Sequence, residues 1–262
     1  MFEFHKDKER YFNFQYWTAR DFIIPFLERV IDFSKKLDIL EVGCAEAGVL
    51  KAFVEKGHYC LGIELHDSRI QLAKKFQPDA HKSKQLEFIN KDIYKIDVEK
   101  DVKTKFDLII LKDVIEHIPN QEKVVPQLQK FLKPNGKIFF GFPPWYMPFG
   151  GHQQITTSKV LRFLPWFHLL PTTIYKGILS VFGEPENTKK ELLEIKSTGI
   201  SVERFERITK RSEMKIFKKQ FFFTNPIYQY KFGLKVIKQN KLLSEIPFFR
   251  NFYSTAVYYL IG

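Results

Sequence analysis

Between residues 37 and 142, short apolar runs alternate with stretches in which apolar side chains recur every three to four positions. Runs at 38–42, 59–64, 86–90, 106–111 and 137–142 are apolar almost throughout. That pattern predicts parallel strands covered on both faces, because a strand with one wet face alternates instead. The intervening periodicity predicts helices at 46–56, 67–76 and 113–131, with Asp67 and Asp113 placed to cap the second and third. Pro134-Asn135-Gly136 marks the turn into the fifth strand. Strict β-α alternation implies a doubly wound α/β sheet with right-handed crossovers.

The pattern changes on either side of this core. Residues 11–33 predict one or two amphipathic helices rich in aromatics. After Phe142 the alternation stops at Pro143-Pro144-Trp-Tyr-Met-Pro148-Phe-Gly150-Gly151, a loop leaving the ligand side of the sheet. Helices at 157–164 and 174–182 with the apolar piece 165–171 read as an inserted helical and aromatic cap, and 183–190 as an exposed linker. A helix at 201–214, a long strand at 217–230 and a closing strand at 254–261 complete seven strands. The expected organisation is a single domain over 1–262: N-terminal helices (1–36), a ligand-binding core (37–142), a cap (143–196) and a C-terminal completion of the sheet (197–262).

The candidate chemistry lies at strand ends. Strand one runs through Glu41 into a turn of small residues, Val42-Gly43-Cys44-Ala45-Glu46-Ala47-Gly48, which opens a helix. Small residues there let backbone and a helix N-terminus approach a ligand closely. Strand two ends in Glu64, 23 residues past Glu41, near the distance of about 20 residues at which an acid meets ribose hydroxyls in nucleotide-binding βαβ units.

Composition sets outer limits. The 262 residues carry 42 Lys+Arg against 30 Asp+Glu, a net charge of +12. Most lysines are spread along the chain, which fits a solvated surface better than a nucleic-acid patch. Two cysteines, Cys44 in the turn and Cys60 in a strand, suit a reducing compartment. The charged N-terminus lacks the apolar run of a signal peptide, and no stretch reaches the ~20 apolar residues of a membrane span. The expectation is a cytoplasmic protein.

With these residues in place, 37–142 resembles the class I S-adenosylmethionine-dependent methyltransferases, in particular the ubiquinone-biosynthesis O-methyltransferases. Glu41-Val-Gly43-Cys-Ala45-Glu-Ala47-Gly48 stands where that family has an acid and a glycine-rich turn. Asn90-Lys91-Asp92-Ile93, 106–117 and Phe131-Leu-Lys-Pro-Asn-Gly136 match its later segments. The resemblance implies a Rossmann-like, mostly parallel sheet with an antiparallel last strand, and S-adenosylmethionine held by Glu41, Gly43, Cys44, Ala45, Gly48, Glu64, Leu65, Asp92, Ile93, Lys112 and Asp113. Ala45 and Ala47 depart from the pattern by replacing glycines. If either needs a positive φ, it carries strain on the order of 1 kcal/mol. A nicotinamide-dependent oxidoreductase is disfavoured, since Glu46 and Ala47 crowd the pyrophosphate position.

If 113–131 is helical, Asp113, Glu116 and His117 share one face, and His152 follows a flexible glycine pair. Two carboxylates and two imidazoles suit a divalent metal, Mg²⁺ or Mn²⁺. Similar acid-x-x-acid-His segments with a later histidine hold one in some ubiquinone O-methyltransferases and small-RNA 2′-O-methyltransferases. His117 or His152 could equally serve as a metal-free base, or Asp113 could only cap the helix and His117 be a satisfied histidine. His5, His58, His66, His81 and His168 read as structural or surface residues. Trp145, Tyr146 and His152 are the candidate substrate residues. The aromatics around them suit a small apolar or aromatic acceptor, or a peripheral contact with a membrane, unless they simply pack together as the cap's own core. The expected activity is O-methylation of a small aromatic or lipid-like molecule. The rivals are a metal-assisted RNA methyltransferase and a methyltransferase-like binding protein without catalysis.

Overall fold

The computed structural model describes residues 7–262, so His5 lies outside the described residues. Seven strands form one sheet: β1 (Asp38–Val42), β2 (Tyr59–Ile63), β3 (Leu86–Ile89), β4 (Phe106–Lys112), β5 (Leu132–Phe142), β6 (Ile216–Phe222) and β7 (Ala256–Ile261). Their spatial order is β3-β2-β1-β4-β5-β7-β6. The first five strands pair in parallel, and β7 runs antiparallel to both β5 and β6. The order reverses beside β1 and β4, which puts the ligand crevice outside the carboxyl ends of those two strands.

Each central strand feeds two cores. Leu40, Val42, Ile109, Leu111, Phe140 and Tyr259 point to one face, Ile39, Leu108, Ile110, Phe139 and Tyr258 to the other. Both faces are buried, which is why the runs are apolar throughout. The helix Val202–Arg211 covers the first face through Phe205, whose ring lies 4.9 Å from Phe140 and 4.7 Å from Tyr259. Full burial of such a ring contributes about 1.5–3 kcal/mol. The helices Gly48–Val54 and Ile24–Leu27 cover the second face. The N-terminal helix Lys8–Thr18 packs on Gly48, where a Cβ would come within 2.4 Å of the Phe12 carbonyl oxygen.

Several expected elements are corrected. Residues 113–131 do not form one helix. Asp113 has φ 55, residues 115–117 make a single 3₁₀ turn, Asn120 is left-handed, and the α-helix spans only Val124–Gln129. Pro119 explains the break, since the residue before proline is driven into extended backbone and Ile118 has ψ 123. Asp113 therefore caps no helix. Asp67 is the first helical residue, with His66 in the cap position. The stretch 183–190 is no linker, because the helix Glu186–Thr198 starts directly after Pro185. The strand expected over 217–230 ends at Phe222. Pro226 ends any further ladder, and a short helix, Tyr228–Phe232, follows.

The cap residues have a small core of their own in Leu161, Phe167, Tyr175, Leu179 and Leu192. The buried Glu184 carboxylate ties it together by accepting from the Thr157 and Ser158 backbone N–H groups at 2.8 Å each. Among the described residues, no helix is long and apolar enough to cross a membrane.

Candidate active site

The turn after β1 is built from left-handed residues. Gly43 (φ 69), Ala45 (φ 50) and Ala47 (φ 61) all have positive φ. The Gly43 and Cys44 N–H groups both donate to the Ile63 carbonyl oxygen. A Cβ at Gly43 would come within 2.6 Å of Val114 Cγ2, so this position requires glycine for space as well as conformation. The two alanines carry the strain that their glycine-replacing positions raise, about 1–2 kcal/mol each for a left-handed L-residue. Replacing Ala47 by glycine is expected to raise stability by about 0.5–1 kcal/mol after the unfolded-state entropy of glycine is subtracted. That corresponds to about 1–4 °C in a melting scan; an unchanged or lower melting temperature would show that the turn holds no such strain.

Glu64 closes this turn. Its two carboxylate oxygens accept from the backbone N–H groups of Ala45 (2.9 Å) and His66 (3.0 Å). Asn90 donates from Nδ2 to the Glu64 and Leu65 carbonyl oxygens. The side chain of Leu65 is exposed, with 64 % of its surface open. Asp92 accepts from the Tyr94 N–H, and so caps the 3₁₀ turn that carries the buried Ile93. Glu41 is buried, with one carboxylate oxygen lacking any hydrogen-bond partner. Burial first, then the charge of Glu64, hold its pKa well above the ordinary carboxylate range. Burial likewise raises the Cys44 thiol, which stays protonated and fills the space over Gly62. Gly48 serves the packing of the N-terminal helix described above rather than an open face.

Beyond the end of β4, a cavity of about 710 Å³ opens between the sheet, the N-terminal helix, residues 143–163 and residues 225–234. Its floor holds Asp113, Glu116, His117 and His152. The His117 and His152 rings are 4.9 Å apart, centroid to centroid. One ligating atom each from Glu116, His117 and His152 fall within 4.8 Å of one another. Asp113 stands apart from that trio, with one carboxylate oxygen paired to the buried ammonium of Lys112. A 3₁₀ turn, rather than the face of a helix, carries Glu116 and His117.

Electrostatics separates the roles of these groups. The Glu116 carboxyl is buried with neither oxygen partnered, and burial followed by the Asp113 charge holds its pKa well above the ordinary range. Burial, with a further contribution from His117, pulls His152 down to about 3. Burial also lowers His117, opposed by Asp113. Both imidazoles are therefore uncharged at neutral pH. His117 keeps 43 % of its side chain exposed.

The apolar walls of the cavity include Met147, Phe149, Ile155, Ile227 and Tyr228. Trp145 and Tyr146 do not line it, which corrects the substrate assignment for both. Trp145 is locked inside the cap, with the His168 ring edge-on at 4.6 Å and Gly199 so close that a Cβ would fall 2.3 Å from its ring. Tyr146 stacks on Phe252. His168 is buried and bonds the Trp145 carbonyl oxygen, a structural role as expected. Tyr11, Arg69, Asn225, Tyr228 and Lys231 line the cavity and escaped the sequence reading. Lys231 is lowered to about 8 by burial, partly offset by Asp113. A basic residue four positions beyond the apolar Ile227 in a short helix was the only signal available for it.

A parallel sheet with this order, a left-handed turn after β1 and acids at successive strand ends define the class I S-adenosylmethionine-dependent methyltransferase fold. The sequence profile described as a methyltransferase domain matches residues 14–161, and the chain belongs to that family. The ubiquinone biosynthesis O-methyltransferase of Coxiella burnetii is 26% identical over 117 residues, 45% of this chain and 47% of that protein. Its counterpart from Idiomarina loihiensis is 30% identical over 120 residues, 45% of this chain and 46% of the relative. The chain thus matches about half the length of these curated relatives. Among solved structures, an S-adenosylmethionine-dependent methyltransferase from Clostridium acetobutylicum superposes with a TM-score of 0.56 at 13% identity, covering 94% of this chain and 91% of that one. A plantazolicin methyltransferase in complex with a triazolic substrate analogue and S-adenosylhomocysteine gives 0.55 at 14% identity, covering 98% and 87%. At such identities the likeness is one of fold.

Proposed function

We propose that the protein transfers the methyl group of S-adenosylmethionine to a hydroxyl oxygen of a small, apolar or aromatic acceptor. The observation that carries this reading is the cavity of about 710 Å³ with apolar walls and a floor of Asp113, Glu116, His117 and His152 beside the carboxyl end of β4. The named activity of the Coxiella and Idiomarina relatives supports oxygen as the methylated atom.

The residues present fit the cofactor. The Glu41 carboxylate oxygen that lacks a partner suits the ammonium of an amino-acid tail, and the left-handed turn 43–47 brings backbone, not side chains, to that tail. Each Glu64 oxygen spends one acceptor site on a backbone N–H and keeps another for the ribose diol. Asp92 retains one oxygen for the adenine amine, with Ile93 beside it. The cofactor supplies a methyl group on a sulfonium, a leaving group that needs no protonation. Methylation of a hydroxyl would release its proton, which the chain must accept. The chain's contribution is position and proton acceptance. Neutral His117, with its edge toward solvent, accepts the proton and passes it out. His152, at about 3, is too weak a base for that task at neutral pH and orients the hydroxyl.

The same trio fits a divalent metal. A buried carboxylate with both oxygens unpartnered and two neutral imidazoles offer one oxygen and two nitrogen donors. That set is nearer to a transition ion such as Mn²⁺ than to Mg²⁺, which prefers oxygen; Glu116, His117 and His152 would hold it. When bound, the ion would lower the pKa of an acceptor hydroxyl.

Titration calorimetry with S-adenosylhomocysteine tests the reading. One molecule is expected to bind per chain, with a dissociation constant at or below about 100 µM, some 5–6 kcal/mol. Absence of binding would overturn it.

A further inference from the structure

Residues 242–253 are built inside out. Leu242, Leu243, Ile246, Phe248, Phe249 and Tyr253 are exposed, Leu242 to 80 % and the two phenylalanines to 65 % and 64 %. Three polar residues of the same segment, Ser244, Arg250 and Asn251, are buried, while Glu245 is exposed. An ordinary surface segment has the reverse arrangement, and contiguous exposed apolar residues mark an interaction site.

The arrangement is held rigidly. Glu203 accepts from the Phe248 N–H and from Arg250 Nε at 2.9 Å each, and from Asn251 Nδ2 at 2.6 Å. Glu206 accepts from Arg250 Nη2 at 2.7 Å. Asn251 Oδ1 in turn accepts from the Val202 N–H. These bonds fix a γ-turn at Phe248, with φ 64, ψ −52 and the Phe249 N–H donating to the Pro247 carbonyl oxygen. That conformation is strained for a bulky residue. Packing does not repay it, since the side chain points away from the protein. The strain holds two aromatic rings out at the tip of a braced loop.

The charge along 234–253 is mostly positive, and its one acid, the exposed Glu245, is paired to Lys219 at 3.3 Å. Lys235, Lys238 and Lys241 are exposed, and none makes an ion pair among the described residues; no acid lies between 233 and 244. Leu234 and Ile237, between those lysines, are also exposed. Exposed apolar rings that can enter the acyl boundary, with unpaired ammonium groups on the adjoining stretch 235–241, match an anionic bilayer. A second copy of the chain fits poorly, since it would bring the same positive surface and another +12 of charge against the first. We propose that residues 234–253 dock the protein on an anionic lipid surface, with Phe248 and Phe249 entering the acyl boundary. This is independent of the methyl-transfer reading. Tyr146, stacked on Phe252 at 5.5 Å, joins the face to the loop that walls the cavity.

Co-sedimentation of the whole chain with phosphatidylcholine vesicles containing about one-third phosphatidylglycerol tests the proposal. The wild type is expected to pellet with these vesicles and at least about tenfold less with pure phosphatidylcholine. Phe248→Ser combined with Phe249→Ser is expected to cut binding to the mixed vesicles at least about tenfold. Lys238→Glu with Lys241→Glu should cut it comparably, with circular dichroism and melting temperature unchanged in both variants. Wild-type protein left in the supernatant would overturn the proposal. So would variants that bind as well as wild type, or a dimer that forms in the wild type and is lost in the phenylalanine variant.

Discussion

Replacing His152 by asparagine is expected to lower methyl transfer to a catechol acceptor at least about hundredfold, with S-adenosylhomocysteine affinity unchanged by calorimetry. Asparagine tolerates the left-handed backbone at this position, φ 54, so the change removes the imidazole and little else. The ring it removes lies against His117 and within the trio that includes Glu116. None of these groups belongs to the strand-end acids assigned to the cofactor, which is why binding should survive. Full activity in the variant would exclude His152 from the chemistry. Glu116→Ala together with a chelator divides the two ways the trio could act. Loss of turnover on chelation, restored by Mg²⁺ or Mn²⁺, would assign it to a metal. Turnover indifferent to chelation would leave His117 as the proton acceptor. The wild-type rate should then persist on acidification below pH 6.5, because burial lowers both histidines and they gain protons only below the ordinary imidazole range.

How much of this was legible in the sequence depended on whether the determinant was local. The five parallel strands could be read because burial on both faces demands apolar runs, and 108–111 and 138–142 have no polar interruption inside the sheet. The placement of Glu41 and Glu64 at strand ends could be read from the apolar runs that lead to them. The stretch 113–131 misled for a physical reason. Its periodicity is helical, but one proline at 119 and a left-handed Asn120 divide it, and the candidate pair Glu116–His117 sits in the irregular part. The aromatic loop misled differently. Trp145 and Tyr146 are the conspicuous residues, yet the neighbours that wall the cavity are Met147 and Phe149. Which side of a loop faces inward is decided by contacts with His168, Gly199 and Phe252, far away in sequence. Tyr11, Arg69 and Lys231 reach the cavity from three separate elements, and no local pattern could have joined them. The left-handed φ at Ala45 and Ala47 was also invisible, since alanine at a glycine position is equally consistent with a turn that only needs small side chains.

Glu64 is the position where the proposed cofactor binding and the local architecture meet, and its substitution is expected to weaken S-adenosylhomocysteine binding at least tenfold, about 1.4 kcal/mol. The buried carboxylate does two things. It accepts the Ala45 and His66 N–H groups, which hold the turn after β1 against the end of β2. In the proposed reading its remaining lone pairs are the acceptors for the ribose diol. Glu64→Ala removes both, leaving two N–H groups without their acceptor at a cost of about 1–3 kcal/mol each where they stay buried. Lower affinity in that variant could then come from a disordered turn alone. Glu64→Gln separates the effects. Its amide oxygen still accepts one backbone N–H, while its NH₂ cannot accept from a hydroxyl and presents a donor to the other N–H. Glutamine is therefore expected to keep a melting temperature between those of wild type and the alanine variant, yet to lose most of the affinity that alanine loses. Should glutamine bind S-adenosylhomocysteine as tightly as wild type, Glu64 would be a brace for the turn, and the ribose would need another acceptor.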